Sequence, residues 1–309
     1  MRQALLWLSR QQSIFRFVRS NPLAKRFASR FVAGETLDTA VQAVKDLNAR
    51  KITASLDLLG ESVAKAEEAS AAKDEYLRML DRIAADKVDA NVSVKLTQMG
   101  QDISEAALRA NAFAILERAK RHNSFVRFDM EGTPYTDRTL DFFANECFPQ
   151  YGPHCGVVIQ AMLRRSPKDI DRLIGMRARV RLCKGAYLEP AEHAFPAKQD
   201  VDAQYVALMK KLMTEGNYPG LATHDERIIA EAKAFATANK IGPERFEFQM
   251  LYGVRRDLQE KLRAEGWNLR VYIPFGTQWY PYLMRRLAER PANIAFIMGN
   301  VMKEAVGGR

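Results

Sequence analysis

Cysteine is scarce in this 309-residue chain: Cys147, Cys155 and Cys183 are all it has. They have neither CxxC nor metal-ligand spacing, and an odd number without a framework fits a reducing compartment rather than a disulfide-stapled domain. Cys183 sits in an apolar strand pattern and reads as core. Histidine is nearly as rare, with His122, His154, His193 and His224 and no HxH or HExxH. A zinc or binuclear-metal hydrolase needs more convergent ligands than that. His122 and His154 fall on helix-end or loop segments, and no metal site is expected. No GxSxG is present, and Cys183 has no evident His partner, so nucleophilic catalysis lacks its usual parts. There is no GxGxxG after the first strand and no Walker A sequence, which disfavours a Rossmann-type nicotinamide enzyme and a P-loop NTPase. No apolar run approaches the roughly 18 residues of a membrane helix. The apolar opening, Met1 to Leu8, is too short for a signal peptide and lacks a cleavage site.

The formal charge is +10, from 47 basic and 37 acidic residues. The two signs are interspersed, and no basic run is interleaved with aromatics, so nucleic-acid binding is not expected. With 47% hydrophobic residues, the chain can bury a core of barrel size. Residues 1 to about 50 read as a helical segment, with Thr36 placed to cap a helix that starts at Leu37. From residue 51 the pattern becomes strand then helix, eight times. The strand candidates are 53–59, 91–97, 125–130, 157–162, 180–184, 221–225, 246–251 and 270–275. Eight such units match a (βα)8 TIM-type barrel over 51–309, preceded by N-terminal helices over 1–50. A doubly wound open sheet is the rival.

In a barrel of this kind, strand ends carry the active site. Here they are unusually polar. Lys95, Asp129, Gln160, Arg181, Lys184, Thr223, His224 and Gln249 lie at or near the ends of strands two to seven. Charges inside apolar strands must pair, meet water or touch a ligand. Their sign is mainly positive, so an anionic ligand is expected. Lys184-Gly185-Ala186 resembles a phosphate cradle, in which small residues let a ligand approach the backbone; by itself it also fits an ordinary turn. After the last strand, Tyr282, Arg285, Arg286 and Glu289 fall at i, i+3, i+4 and i+7 and so share one helix face. Two guanidinium forks suit a small carboxylate. A solvated charged face is the plainer reading of that spacing. Residue chemistry alone leaves a barrel that binds an organic cofactor or does acid–base work, beside a non-enzymatic carboxylate binder, a metal hydrolase and a peripheral membrane or scaffold protein.

Seven segments in order resemble the proline dehydrogenase family. They are Val94-Lys95-Leu96-Thr97, Arg127-Phe128-Asp129-Met130-Glu131, Val158-Ile159-Gln160-Ala161, Arg181 to Tyr187, Ala222-Thr223-His224-Asp225, Phe246 to Gly253, and the Tyr282 helix. The resemblance implies a distorted (βα)8 barrel that binds FAD non-covalently and oxidises L-proline to Δ1-pyrroline-5-carboxylate by hydride transfer to flavin N5. It implies that Lys95, Arg285 and Arg286 bind the substrate carboxylate. Tyr272, Tyr282 and Leu251 would pack around the five-membered ring. Asp129 would lie in the substrate site and Arg181 at the reactive edge of the flavin; these two are the expected catalytic residues. Met130, Gln160, Lys184, Gly185, Ala186, Tyr187, Thr223 and His224 would surround FAD together with Arg181. The acceptor of the amine proton stays open between Asp129 and bulk water. The Tyr282 helix is expected to act as a lid, with Glu289 pairing one of its arginines. The resemblance further implies a membrane quinone as electron acceptor, and transient contact with a separate pyrroline-5-carboxylate dehydrogenase. Location in the cytoplasm is expected. The N-terminal segment, with Leu5, Leu6, Trp7, Leu8, Ile14, Phe15, Phe17 and Val18 among Arg2, Arg10, Arg16 and Arg19, could touch an anionic bilayer or pack on the barrel.

Overall fold

Eight parallel strands close on themselves in the computed structural model, each hydrogen-bonded to its neighbours in chain order and β8 returning to β1. Residues 28–60 and 62–289 are described, and from Arg285 onward only the backbone of the last helix is. The expectations for the first segment of the chain, and for the side chains of Arg285, Arg286 and Glu289, therefore lie outside the described residues. The strands are β1 Thr53–Leu58, β2 Ala90–Val94, β3 Val126–Phe128, β4 Cys155–Gln160, β5 Arg179–Cys183, β6 Gly220–Ala222, β7 Glu247–Leu251 and β8 Leu269–Phe275. The longer helices are α1 Leu37–Asn48, α2 Ala66–Asp86, α3 Glu105–Arg121, α4 Thr133–Asp141, α5 Ser166–Gly175, α6 Lys198–Glu215, α7 Glu226–Ala238, α8 Arg256–Ala264 and α9 Trp279–Glu289. This is the (βα)8 barrel that the strand–helix alternation predicts; the open-sheet rival is excluded by the pairing of β1 with β8.

Local sequence sets the helix starts. Thr36 Oγ1 accepts from Thr39 N at 3.3 Å, as the cap position predicts, and Ser104 and Asp225 accept from Ala107 N and Arg227 N at 3.1 and 3.2 Å. Each satisfies an amide that the first helical turn leaves without a partner. Ala40, Val44 and Leu47 of α1 join the main core with Tyr76, Met79 and Leu80 of α2.

The strands alternate. Ala54, Leu56, Val92, Val94, Val126, Phe128, Val180, Leu182, Phe248, Met250, Val271 and Ile273 lie in the helix-covered core. Their neighbours Ser55, Asp57, Asn91, Ser93, Arg127, Arg181, Glu247, Gln249 and Arg270 are buried polar residues. Successive side chains point to opposite faces of a strand. The barrel interior is thus filled by hydrogen-bonded polar side chains, where branched aliphatic layers are the common solution.

A second, smaller core joins the two ends of the described chain. Ala28, Val32 and Leu59 pack with Trp279, Tyr280, Tyr282 and Leu283 of α9. Trp279 Nε1 donates to Glu35 at 3.0 Å, and Ala33 N and Gly276 N donate to Pro274 O and Gly34 O at 2.9 and 3.0 Å. Gly253 lies so close to this segment that a Cβ there would overlap the carbonyl of Arg30. Among the described residues no helix is long and apolar enough to cross a membrane, and no cluster of His, Cys, Asp and Glu could hold a metal ion.

Candidate active site

The polar interior falls into levels along the barrel axis. At the strand starts, Glu247 accepts from Arg270 Nε at 2.8 Å and from Gln249 Nε2 at 2.6 Å, and Arg270 Nη1 donates to Ala54 O at 2.7 Å. Arg127 donates to Val157 O at 3.3 Å and to Arg179 O. Gly156 makes room for it, because a Cβ there would meet the Arg127 guanidinium and Arg179 O. Burial alone would raise the Glu247 carboxyl; Arg270 and the hydrogen bonds outweigh it and hold it below its usual value.

Arg181 links this level to the mouth. Its Nε donates to Gln249, and its Nη1 donates to Asp129 Oδ1 at 2.8 Å and Ser93 Oγ at 3.2 Å. The guanidinium also lies over the Tyr272 ring, 5.2 Å from its centroid. At the mouth, Tyr272 OH donates to Asp129 Oδ2 at 2.7 Å, and Lys95 Nζ stands 3.7 Å from the same oxygen. Lys95 makes its short contact elsewhere, at 2.7 Å from Asp57 Oδ1. Burial by itself would lower the Lys95 ammonium; Asp57 and Asp129 more than compensate and hold it well above its ordinary value. Burial raises the Asp57 carboxyl, an effect that Lys95 offsets only in part. Burial, then Asp129 and Asp57, push the Tyr272 phenol up, so it is a neutral donor at physiological pH.

The structure therefore brings together Lys95, Asp129, Arg181 and Tyr272, drawn from β5, β8 and the ends of β2 and β3. Two other groups stand apart from that network. Lys184, just past β5, is paired with Asp202 of α6 at 2.5 Å and with Asp225 at 2.9 Å. His224 Nε2 accepts from Leu251 N at 2.9 Å, a bond that leaves the ring proton of neutral His224 on Nδ1. Thr223 Oγ1 accepts from Asp225 N at 3.1 Å. Gln160 Nε2 donates to Glu131 O at 2.9 Å, and Met130 is buried in the main core. Gly185 has φ +109, and a Cβ there would strike Met162 Sδ, so the chain turns at a point where only glycine fits. Tyr187 packs beside Met162, Leu163 and Ala194. Tyr282 sits in the α9 cluster with Trp279. Of the cysteines, Cys147 and Cys155 are buried and Cys183 is half-buried; burial pushes the Cys155 thiol up to about 12, which leaves it an inert thiol.

Sequence reasoning missed Asp57, the residue nearest to Lys95, together with Glu247 and Arg270. The signal was present as strict alternation in Thr53-Ala54-Ser55-Leu56-Asp57-Leu58 and in Leu269-Arg270-Val271-Tyr272.

Comparison with known proteins gives the family. The family profile described as Proline dehydrogenase matches residues 40–298. The chain belongs to the proline dehydrogenase family. It is 39% identical over 304 residues to Proline dehydrogenase 1 of Bacillus subtilis subsp. natto, covering 98% of this chain and 100% of that one. To Proline dehydrogenase of Deinococcus radiodurans it is 42% identical over 279 residues, with 89% and 90% covered. Among solved structures it resembles proline utilization A from Bdellovibrio bacteriovorus at TM-score 0.79 and 27% identity, over 90% of this chain and 34% of that longer one. The enzyme is a proline dehydrogenase, and its barrel is like that of the proline utilization A structure.

Proposed function

We propose that this proline dehydrogenase binds L-proline at the Lys95–Asp129–Arg181–Tyr272 network and oxidises it to Δ1-pyrroline-5-carboxylate with non-covalent FAD. The observation that carries this reading is the convergence of two cations on one carboxylate at a barrel mouth, beneath a neutral phenol donor. Lys95 has an ammonium proton to offer a substrate carboxylate, and Arg285 and Arg286 on α9 complete the clamp. Leu251, Tyr272 and Tyr282 enclose the ring, which orients the carbon to be oxidised and excludes water. Asp129 faces the amine and helps to remove its proton, since an ammonium has no lone pair with which to form the C=N bond. Glu289 pairs with an arginine of α9 to close the helix over substrate.

The residues beside the network suit FAD. Lys184 is a cation held in place by two carboxylates, next to the left-handed turn at Gly185, a small-residue segment of the kind a pyrophosphate approaches. His224, Met130, Gln160, Ala186, Tyr187 and Thr223 complete the wall. FAD held there would supply the two-electron acceptor, with N5 as the site for hydride and a quinone-type compound as the onward electron acceptor. Arg181 supplies fixed positive charge at the reacting edge, stabilising negative charge as it develops. The product is passed to a separate pyrroline-5-carboxylate dehydrogenase. Residues 51–309 form the catalytic unit, and the segment 1–50 precedes it. The enzyme works in the cytoplasm. Heat denaturation of the purified protein tests the cofactor: FAD released into the supernatant is expected, whereas flavin retained on the precipitate or no flavin at all would overturn non-covalent FAD.

A further inference from the structure

Asp57 is 1% exposed and has no place in the chemistry set out above, yet it makes the shortest contact to the proposed carboxylate anchor. We infer that Asp57 is a positioning residue that holds the Lys95 ammonium away from Asp129 and presents it to the carboxylate of the substrate. The inference rests on the reading of Lys95 as that anchor.

The geometry gives the reason. Asp129 is already committed, accepting from Arg181 at 2.8 Å on one oxygen and from Tyr272 OH at 2.7 Å on the other. Lys95 stands 3.7 Å from that second oxygen, beyond a good hydrogen bond. An ammonium on a four-carbon stem swings easily. Without Asp57 it would collapse onto Asp129 and displace the Tyr272 hydroxyl, coupling two groups that the reaction uses separately. Asp57 is fixed by its strand: β1 pairs with β2 in the register Asp57 to Ser93, two residues before Lys95, so its carboxylate meets the lysine from the side. With Asp57 in place the charges of the mouth network balance, Asp57 and Asp129 against Lys95 and Arg181, and the ammonium keeps protons for an incoming anion.

The groups facing Lys95 are Asp57 from β1, Asp129 after β3 and Tyr76 from α2; Tyr272 of β8 interacts with both carboxylates, and Arg181 of β5 pairs with Asp129. Removing the Asp57 charge leaves burial opposed mainly by Asp129, so the ammonium loses its proton at lower pH. A five-membered ring carboxylate without an amine, cyclopentanecarboxylate, isolates that titration from that of proline.

The experiment measures its Kd by calorimetry on the holoenzyme between pH 7 and 10, together with kcat and KM for proline, in wild type, Asp57→Asn, Lys95→Met and the double variant. Asp57→Asn is expected to weaken carboxylate binding by about tenfold, the scale of one charge-assisted hydrogen bond. KM should rise more than kcat falls, and a loss of binding toward high pH should appear that the wild type lacks. In the Lys95→Met background, Asp57→Asn should add nothing further. If Lys95→Met leaves carboxylate binding unchanged, the anchor reading itself fails. If Lys95→Met weakens binding but Asp57→Asn does not, or if the two effects simply add, the positioning role is overturned. Should Asp57→Asn not fold, Asp57→Glu keeps the charge but moves it: weaker binding with an unchanged high-pH limb supports the inference, and unchanged affinity contradicts it.

Discussion

Two buried ionic clusters share this barrel, and they are finished differently. At the strand starts, Glu247 and Arg270 pair with each other, Arg270 Nη1 donates to the backbone carbonyl of Ala54, and Arg127 Nη1 donates to those of Val157 and Arg179. Backbone partners cannot leave. At the mouth, Asp57, Lys95, Asp129, Arg181 and Tyr272 pair chiefly with one another, side chain to side chain. Such partners can be exchanged for those of a ligand. The same chemistry thus closes one end of the barrel and arms the other. Breaking a buried pair is costly in either place, because the partner left behind keeps its charge. The two ends differ in which observable pays: folding at the base, turnover at the mouth.

Substitutions that separate those observables test the contrast. Arg181→Met should have the largest effect, lowering kcat/KM for proline by on the order of 10³-fold in a protein that still folds, as loss of a preorganised charge does; steady-state kinetics beside a thermal melt would show it. Glu247→Gln should do the reverse, costing about 3 kcal/mol of stability through an uncompensated Arg270 while folded enzyme keeps its kcat; denaturant unfolding measures it. Acid stability sharpens the point. Glu247 is held below the ordinary 4.5 of a glutamate, so its contribution is full above pH 4.5 and is lost as pH falls through its lower, folded-state value. Glu247→Gln should remove that part of the acid transition, and an unaltered acid limb would place the cost elsewhere. Tyr272→Phe should have the smallest effect, roughly tenfold in kcat/KM for one hydroxyl lost from Asp129, with the melting temperature nearly unchanged. A large stability loss in Tyr272→Phe would mean that the mouth, too, is built for folding.

The contrast also marks what could be read from the residues. All eight strands fall where the alternation of apolar runs and helices puts them, because strand-forming runs and Gly or Pro connectors are local properties. The expected ends of β2, β3, β4 and β6 run two or three residues past the observed ones. Asp129 and Thr223-His224-Asp225 stand just past the last paired residues, where the chain leaves the ladder to form the mouth. Lys95, Asp129 and Arg181 stood out because charge in an apolar strand is conspicuous. Asp57 did not, although it sits in the same kind of strand: one acid in a short run looks like a solvated position until the barrel closes and turns that face inward. The pairing of Lys184 with Asp202 was equally hidden, since it needs the start of α6, the next helix, to fold back onto the end of β5.

The most direct test of the central claim, that the exchangeable end of the barrel holds proline against a flavin, is the visible absorption of the purified enzyme before and after anaerobic addition of L-proline. A flavin spectrum that bleaches with proline in the wild type, and bleaches on the order of 10³-fold more slowly in Arg181→Met with its flavin still bound, is the predicted result. A wild-type flavin spectrum that proline leaves untouched, or a protein that neither carries nor takes up FAD, would contradict it.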